Sequence, residues 1–559
     1  MQYCTRCVYP GITATPLTFD ENGVCSGCRV AEQTKGINWE ERWQMLVDLT
    51  NEYRSGSQYD ILIPVSGGKD SYFQTHVATK LLGLKPLLVT YHGNNYLPEG
   101  EYNLHRMREV FDCDHIIINP GIDVLIKMNR LGFKLQGDMN WHNHCGIFTA
   151  PIQIAVRYKV PLMMWGEHGF MDLGGMYSYN DFVEFTAKHR LEHSLRGYDW
   201  YDFTDEGLDK LGRPELKEGL TAKYLLWAQY PSDAEIDTVG VRGIYLSNFV
   251  PWDANRNYKV AKELYDWRPA QQPFERTYRT FSNLDDMHEN GIHDYLKFIK
   301  LGYGRASDHA NKDIRGGYMT REQGIEMVRK YDHVKPRRDL ERWLKYVNMT
   351  EEEFDRICDT FRDRRVWRIE NGYWVKDNIW GGASAYGPVH LKESKATSHK
   401  RSLRPAKEED CEVLWQWRNE EDTRKWSFNT EYIPYEEHKK WFLSKLINAD
   451  SLILIVSEGQ RNIGQVRFDK SSDGSAEVYI SISAAERHKG HGSDALKIAC
   501  RYASSNFNIT RVIAHIKDGN EASIGAFTRA GFMNKGLQEF KGHRVIEMLW
   551  DAVGVEKHD

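Results

Sequence analysis

Several things are scarce in this 559-residue chain. No apolar run approaches the length needed to span a bilayer, and Met1-Gln-Tyr-Cys4 opens without the apolar stretch of a secretory leader. Both absences set the expectation of a cytoplasmic protein with no membrane partner. Basic excess is missing too: the net charge is −5 and the pI near 6.5. A nucleic-acid partner, which selects a positive surface, is therefore not expected. Cysteines number nine, an odd count, and four of them sit in two close pairs. That pattern fits metal binding in a reducing compartment better than a disulfide framework. Rings are plentiful, with 17 tryptophans and 30 tyrosines, which suits sites that stack on bases or sugars. The length is too great for one core and implies about two to four domains.

The paired cysteines are Cys4-Thr-Arg-Cys7 and Cys25-Ser-Gly-Cys28. Four thiolates in two knuckles can close a tetrahedral zinc site, with Gly27 expected to permit the tight turn of the second knuckle. A segment this short and polar has little core, so the metal would supply much of its folding energy. The expectation is a structural zinc ribbon over residues 1–35; an iron–sulfur cluster is the rival, but nothing nearby suggests redox work.

The chain is organised around Tyr59-Asp-Ile-Leu-Ile-Pro-Val-Ser-Gly-Gly-Lys-Asp-Ser71. Ile61–Val65 read as a buried parallel strand, and a helical pattern follows from Tyr72 to Leu82. A strand, a glycine turn and a helix start turn unpaired N–H groups and a positive dipole end toward an anion. Gly67 and Gly68 let the backbone approach a phosphate, Ser66 and Ser71 add hydroxyls, and Lys69 adds a charge. Walker spacing is absent. The run resembles the S-G-G-x-D-S pyrophosphate loop of the ATP pyrophosphatase (PP-loop) superfamily, with its adenine nucleotide alpha-hydrolase-like fold. Those enzymes cleave ATP between the α and β phosphates and adenylate a substrate oxygen. Asp70 is then expected to support the loop or a Mg2+ ion.

Further strands at Pro86–Tyr91, Asp114–Asn119 and Val160–Trp165 alternate with helical patterns at 36–54, 101–111 and 147–158, which predicts a doubly wound parallel sheet. Polar residues at strand ends mark the ligand edge of such a sheet. By the resemblance, Tyr91, His92 and Asn95 are candidates for adenosine contact. Asn140-Trp-His-Asn-His-Cys145-Gly146 offers His142, His144 and Cys145, read as a capping and substrate-contact loop in preference to a metal site because a fourth ligand is not evident. Glu167, closing the strand at Gly166-Glu-His-Gly169, is a candidate for magnesium or for steering an amine. Leu301-Gly-Tyr-Gly-Arg-Ala-Ser-Asp308 is read as a binding loop, with Arg305 and Asp308 toward the substrate.

Taken together, the cysteine knuckles, S-G-G-K-D-S, H-N-H-x-G, the strand ending W-G-E and L-G-Y-G-R-A-S-D-H-A resemble the bacterial N-acetyl sugar amidotransferases of lipopolysaccharide and nonulosonic (pseudaminic or legionaminic) acid biosynthesis. The resemblance covers about residues 1–385. It implies an ATP- and ammonia-dependent conversion of a sugar acetamido group to acetamidino, with ammonia from a separate glutaminase and its channel-forming partner. Cys145 stands where that pattern has an apolar residue, which leaves a thiol role open. A tRNA thiolase is the alternative, opposed by the acidic balance and by the distance in sequence between Cys113 and Cys145. A dead loop that recruits a partner is a second alternative, opposed by the intact S-G-G-K-D-S.

Residues 386–400 read as a linker, leaving 36–385 as the sheet-bearing domain. From Arg401 to residue 552 a mixed α+β pattern carries Arg487-His-Lys-Gly490-His-Gly492 between a strand and a helix, again an anion cradle. With Asn520-Glu-Ala-Ser-Ile-Gly-Ala-Phe527 it resembles the GNAT acetyltransferases, of the branch that opens on Trp-Arg-Asn and acetylates amino sugars or protein N-termini. The resemblance implies that Arg487, Gly490 and Gly492 hold the pyrophosphate of acetyl-CoA and that Asn520 and Phe527 line the thioester side. Amine attack on a thioester needs a base, for which Glu477 and His515 are candidates. Many members of that family have a tyrosine acid where Phe527 stands. The expected substrate is a nucleotide-linked amino sugar.

Overall fold

The computed structural model describes residues 1–55, 58–93, 95–282, 287–391, 401–458, 461–487, 490–507 and 509–551. Contacts divide the chain into two compact units, Met1–Leu391 and Lys392–Asp559. Residues 392–400 of the expected linker lie outside the described residues.

The first unit is built on five strands, β1 Ile61–Pro64, β2 Pro86–Tyr91, β3 Asp114–Ile118, β4 Leu162–Trp165 and β5 Arg242–Tyr245. All pair in parallel, in the order β3-β2-β1-β4-β5. Ile61, Leu62 and Ile63 have no exposed surface, and they alternate between two separate apolar clusters, Ile61 and Ile63 in one, Leu62 in the other. Both faces of the central strand are therefore covered, which is why it reads as an unbroken apolar run. From β1 the chain winds outward to β2 and β3, then returns to lay β4 on the other side of β1. The order thus reverses between β1 and β4, and the crevice at their C-terminal ends is where a sheet of this kind takes a ligand.

Elsewhere the local reading needs correction. The helix expected from Ile147 is two helices, Trp141–Ile147 and Ala150–Tyr158, because Pro151 belongs in a first turn and cannot continue the preceding one. The stretch read as a binding loop at 301–308 is a turn at Gly302 (φ 73°) followed by a helix, Arg305–Arg315, with Gly304 at its N-cap. Strand β8, Ala383–Pro388, completes a small antiparallel sheet with β6 Arg368–Glu370 and β7 Tyr373–Asp377. It takes up the first residues of the stretch read as linker, and Tyr386 packs edge-on against Phe298 and Trp367.

The second unit is a seven-stranded sheet: β9 Arg401–Pro405, β10 Ser451–Glu458, β11 Arg461–Lys470, β12 Ser475–Ile482, β13 Arg511–Lys517, β14 Met533–Phe540 and β15 His543–Asp551. All neighbours are antiparallel except β12 and β13. That parallel pair matches only Ser475–Glu477 with Arg511–Ile513, and the register ends there although both strands continue. Helix His491–Phe507 lays Leu496, Ala499 and Ala503 into the core against Val466, Phe468 and Val478.

Candidate functional sites in the two units

In the first unit, β1 feeds directly into the Ser66–Ser71 loop. Gly67 is left-handed at φ 78°, and a Cβ there would lie 2.7 Å from the backbone of Leu104. Only glycine fits both requirements. The indole Nε1 of Trp267 donates to the Gly67 carbonyl at 2.9 Å, and the Ser66 N–H donates to Ser71 Oγ at 3.0 Å. Gly68, with ordinary extended backbone, is the N-cap of helix Lys69–His76 and supplies no side chain to cap it. The first-turn N–H groups of that helix are left to the crevice.

Charged side chains gather around this loop. Lys69 Nζ donates to Asp70 Oδ2 at 2.6 Å, and the Asn257 amide donates to Oδ1 at 2.8 Å. Burial opposes the charge on Asp70, but Lys69, then Asn257, hold its carboxyl below the usual carboxylate range. Glu167, at the end of β4, receives Lys312 through both oxygens, at 2.8 and 3.0 Å. Arg279 and Tyr278 both bond Asp313 on the same helix as Lys312. Nearby His309 is kept neutral by burial and then by four cations, Arg279, Arg305, Lys312 and Lys69. Each of these cations is in turn paired with a carboxylate, so the loop is flanked by a set of ion pairs. Sequence reasoning missed Lys312, Arg279 and Asn257. The signal for Lys312 was present: Arg305, Asp308, His309 and Lys312 recur at helical spacing, but the flanking glycines made the run look like a loop.

Other expected site residues are engaged in the interior. Tyr91 is buried, stacks near Trp227 and shares its hydroxyl with His142 Nδ1 at 3.2 Å. His142 has no exposed surface and its Nε2 meets Asn129 at 3.1 Å, so it braces the fold and is not a substrate contact. His92 stacks on Tyr96 and meets Glu101 at 3.0 Å, while the Asn95 amide is buried and turned back toward Gly93. Arg305 pairs with Asp294 and Asp308, and Asp308 also receives Lys297 and the Tyr9 hydroxyl, which ties the cysteine segment to this helix. Both are held in ion pairs, and the Arg305 side chain is partly exposed. Burial pushes the thiols of Cys145 and Cys113 up to about 12 and about 11, so neither offers a thiolate for sulfur transfer.

Cys4, Cys7, Cys25 and Cys28 converge with their sulfurs within 4.8 Å of one another, each at most 2% exposed. The N–H groups of Arg6, Cys7 and Cys25 point at Cys4 Sγ at 3.3–3.4 Å, and Arg315 lies 3.6 Å from Cys25 Sγ. Four soft donors in a dry, N–H-rich setting fit a tetrahedral metal ion. Gly27 serves close packing and not the tight turn expected of it: a Cβ would meet the Leu173 carbonyl at 2.5 Å. The carboxylates of Asp70 and Glu167 are engaged with other side chains, each of their four oxygens accepting from Lys69, Asn257 or Lys312.

In the second unit, Glu477 and His515 come together where β12 and β13 part. His515 Nδ1 lies 3.3 Å from Glu477, its Nε2 lies 3.5 Å from Glu547, and its ring stacks on Phe540 at 3.8 Å. Glu547 and Phe540 were not anticipated; they arrive from β15 and β14 through pairing that sequence spacing does not show. In the second cradle, Gly490 is left-handed (φ 78°), and among the described residues no heavy atom outside its chain neighbours lies within 4 Å of where its Cβ would be. His488 and Lys489 lie outside the described residues. Arg487 turns away into Glu420, Asp422 and Thr423. Asn520 caps helix Glu521–Arg529 by accepting from the Ser523 N–H, and Phe527 is buried against Phe532, so neither presents a free side chain to a thioester.

Comparison with known proteins divides the chain in the same place. Residues 275–378 match the family described as LPS biosynthesis protein WbpG-like, C-terminal domain, and residues 401–533 match the acetyltransferase (GNAT) domain. The second unit thus carries a GNAT acetyltransferase domain. No curated protein matches the chain. Among solved structures, spermidine N-acetyltransferase from Vibrio cholerae with CoA and spermine is 20% identical over 27% of this chain and 95% of its own, with a TM-score of 0.26. Aminoglycoside acetyltransferase AAC(6')-Ib with coenzyme A and kanamycin is 16% identical over 27% and 95%, with a TM-score of 0.25. Among the described residues no helix is long and apolar enough to cross a membrane.

Proposed function

We propose that the first unit is an ATP-dependent amidotransferase acting on a sugar acetamido group, and that the second acetylates an amine of a nucleotide-linked amino sugar. The observation that carries the first half is the Ser66–Ser71 loop, which combines an obligatory glycine, a bare helix start and Lys69 at the switch point of the sheet. The β and γ phosphates would lie against the N–H groups of the loop and Lys69. The acetamido oxygen attacks the α phosphorus, pyrophosphate leaves, and the nitrogen proton is lost. Ammonia then adds to the imidate carbon and AMP departs, leaving an acetamidino group. Lys69 and Lys312 would act by positioning and by neutralising the charge that builds on the leaving pyrophosphate. Zn2+ in the cysteine cluster has a structural role in this reading.

In the second unit the amine attacks the thioester carbon of acetyl-CoA and the thiolate leaves. Glu477 and His515, 3.3 Å apart, would take the ammonium proton. The two reactions are consecutive steps at one nitrogen, acetylation first. Cytoplasmic location and ammonia delivery by a separate glutaminase belong to the same reading. Incubating the intact chain with acetyl-CoA, ATP, ammonia and a 4-amino nucleotide sugar tests it by mass spectrometry. An amidine that appears only after acetylation supports the coupled scheme; acetylation never followed by an amidine refutes it.

A further inference from the structure

His142, His144 and Cys145 do not form one ligand set, because two of the three are locked in the interior; His144 has other company. Helix Ile122–Gln136 ends at Gly137 in the left-handed region (φ 61°), where a Cβ would strike the Phe361 ring at 2.7 Å. This tight turn delivers Asp138 inward, only 3% exposed, with the Asn140 N–H donating to Oδ1 at 3.1 Å. Two imidazoles face the carboxylate: His293 Nδ1 is 3.1 Å from Oδ1, and His144 Nε2 is 3.5 Å from Oδ2. One donor atom from each of the three residues lies within 4.8 Å of the other two. The three come from separate elements: the turn after helix Ile122–Gln136, helix Trp141–Ile147, and helix Met287–Leu301 in the segment that matches the WbpG-like family.

In a tetrahedral site with N and O ligands, neighbouring donors stand about 3.3 Å apart, given bonds of roughly 2.0–2.1 Å. The two measured separations, one to each oxygen of the carboxylate, lie on either side of that value. Two imidazoles and one carboxylate are also the donor set that leaves coordination positions open for a small ligand. Here the open side is the histidine side, since the His144 and His293 side chains are 29% and 20% exposed while Asp138 is closed off. We propose that Asp138, His144 and His293 bind a divalent transition-metal ion, distinct from the ion of the cysteine cluster. The site stands close to the ligand edge of the sheet. Helix Trp141–Ile147 abuts the end of β2, with Gly146 against the Tyr91 ring and Asn143 against Gly93.

The test is metal binding by the full-length chain. Co2+ in the cysteine cluster gives intense sulfur-to-metal charge-transfer bands, whereas Co2+ on nitrogen and oxygen ligands gives only weaker d–d bands. Wild type is expected to show both, and elemental analysis to give one more equivalent than the cysteine cluster holds. Asp138→Asn and His144→Gln are expected to lose that equivalent and the weaker bands while the thiolate bands, a built-in folding control, persist. Variants that retain wild-type metal content would overturn the site. Should the variants lose both sets of bands through misfolding, diethyl pyrocarbonate labelling of wild type decides. Protection of His144 and His293 by Co2+ supports the site, and unchanged labelling overturns it.

Discussion

The chain contains two glycine cradles at strand-to-helix junctions, built on different physical terms. Around Gly67 the loop is wedged: Leu104 backbone on one side, Trp267 on its carbonyl, Ser71 on the N–H of Ser66. Around Gly490 and Gly492 the space is open among the described residues, and the nearest of their atoms to a Cβ on Gly492 would be 3.8 Å away. The first cradle is held in shape by the protein, so its geometry exists before any ligand arrives. At the second, no described atom crowds either glycine, so its glycines matter chiefly to what comes to lie on them. Preorganised donors of the first kind suit stabilising charge in a transition state.

Substitutions can break or sharpen that contrast. Gly67→Ala should have the largest effect, combining left-handed strain with a backbone clash for a loss of about 2–5 kcal/mol in chemical denaturation of the first unit. It should abolish pyrophosphate release as well. Lys69→Ala should leave the fold intact but lower pyrophosphate formation by about 10²–10³-fold, with acetyl transfer unchanged. In the second unit Glu477→Gln should reduce the kcat of acetyl transfer by about 10²-fold or more without touching ATP cleavage.

Acid should separate the two units by a smaller margin. Among the described residues, burial is the leading cause that holds His115, His168 and His189 at about 4 in the first unit and His438 at about 4 in the second. The unfolded chain takes up these protons near pH 6.5 and the folded chain refuses them until about 4. Stability is therefore full above 6.5 and falls as pH drops toward 4, by up to about 3 kcal/mol per histidine. Melting followed against pH should show the steeper loss in the first unit, and His168→Gln should flatten it. Smallest of all, Gly492→Ala should shift the melting of the second unit by less than about 0.5 kcal/mol, since alanine suits a helix and its Cβ would make only ordinary contact, 3.8 Å from Ala526. Its effect should appear as a raised KM for acetyl-CoA.

What could be read in the sequence follows the same division. The central strand, its loop and the parallel sheet were legible because an apolar run, two glycines and a helix start are contiguous in the chain. The four cysteines were legible because ligand spacing is local within each knuckle. Residues that meet only through tertiary packing were not. Lys312 reaches Glu167 across 145 positions, and Asn257 reaches Asp70 across 187. Tyr91, His142, Arg305 and Asp308 looked functional because they are polar near strand or helix ends. The structure engages them in hydrogen bonds and ion pairs that no spacing reveals. Arg487 misled for a related reason: its acidic partners lie on the helix Glu421–Trp426 and just before it, more than sixty residues away.

The central claim is that the braced loop at Ser66–Ser71 grips the terminal phosphates of ATP while an acetamido oxygen takes the nucleotide. Its most direct measurement is pyrophosphate and AMP release by the intact chain with an acetamido nucleotide sugar and ammonia, wild type beside Lys69→Ala. The account predicts equal amounts of pyrophosphate, AMP and a sugar in which one oxygen has become NH, all formed about 10²–10³-fold more slowly by the variant. Wild-type protein that folds, transfers acetyl groups and yet forms no pyrophosphate with any acetamido sugar would contradict it.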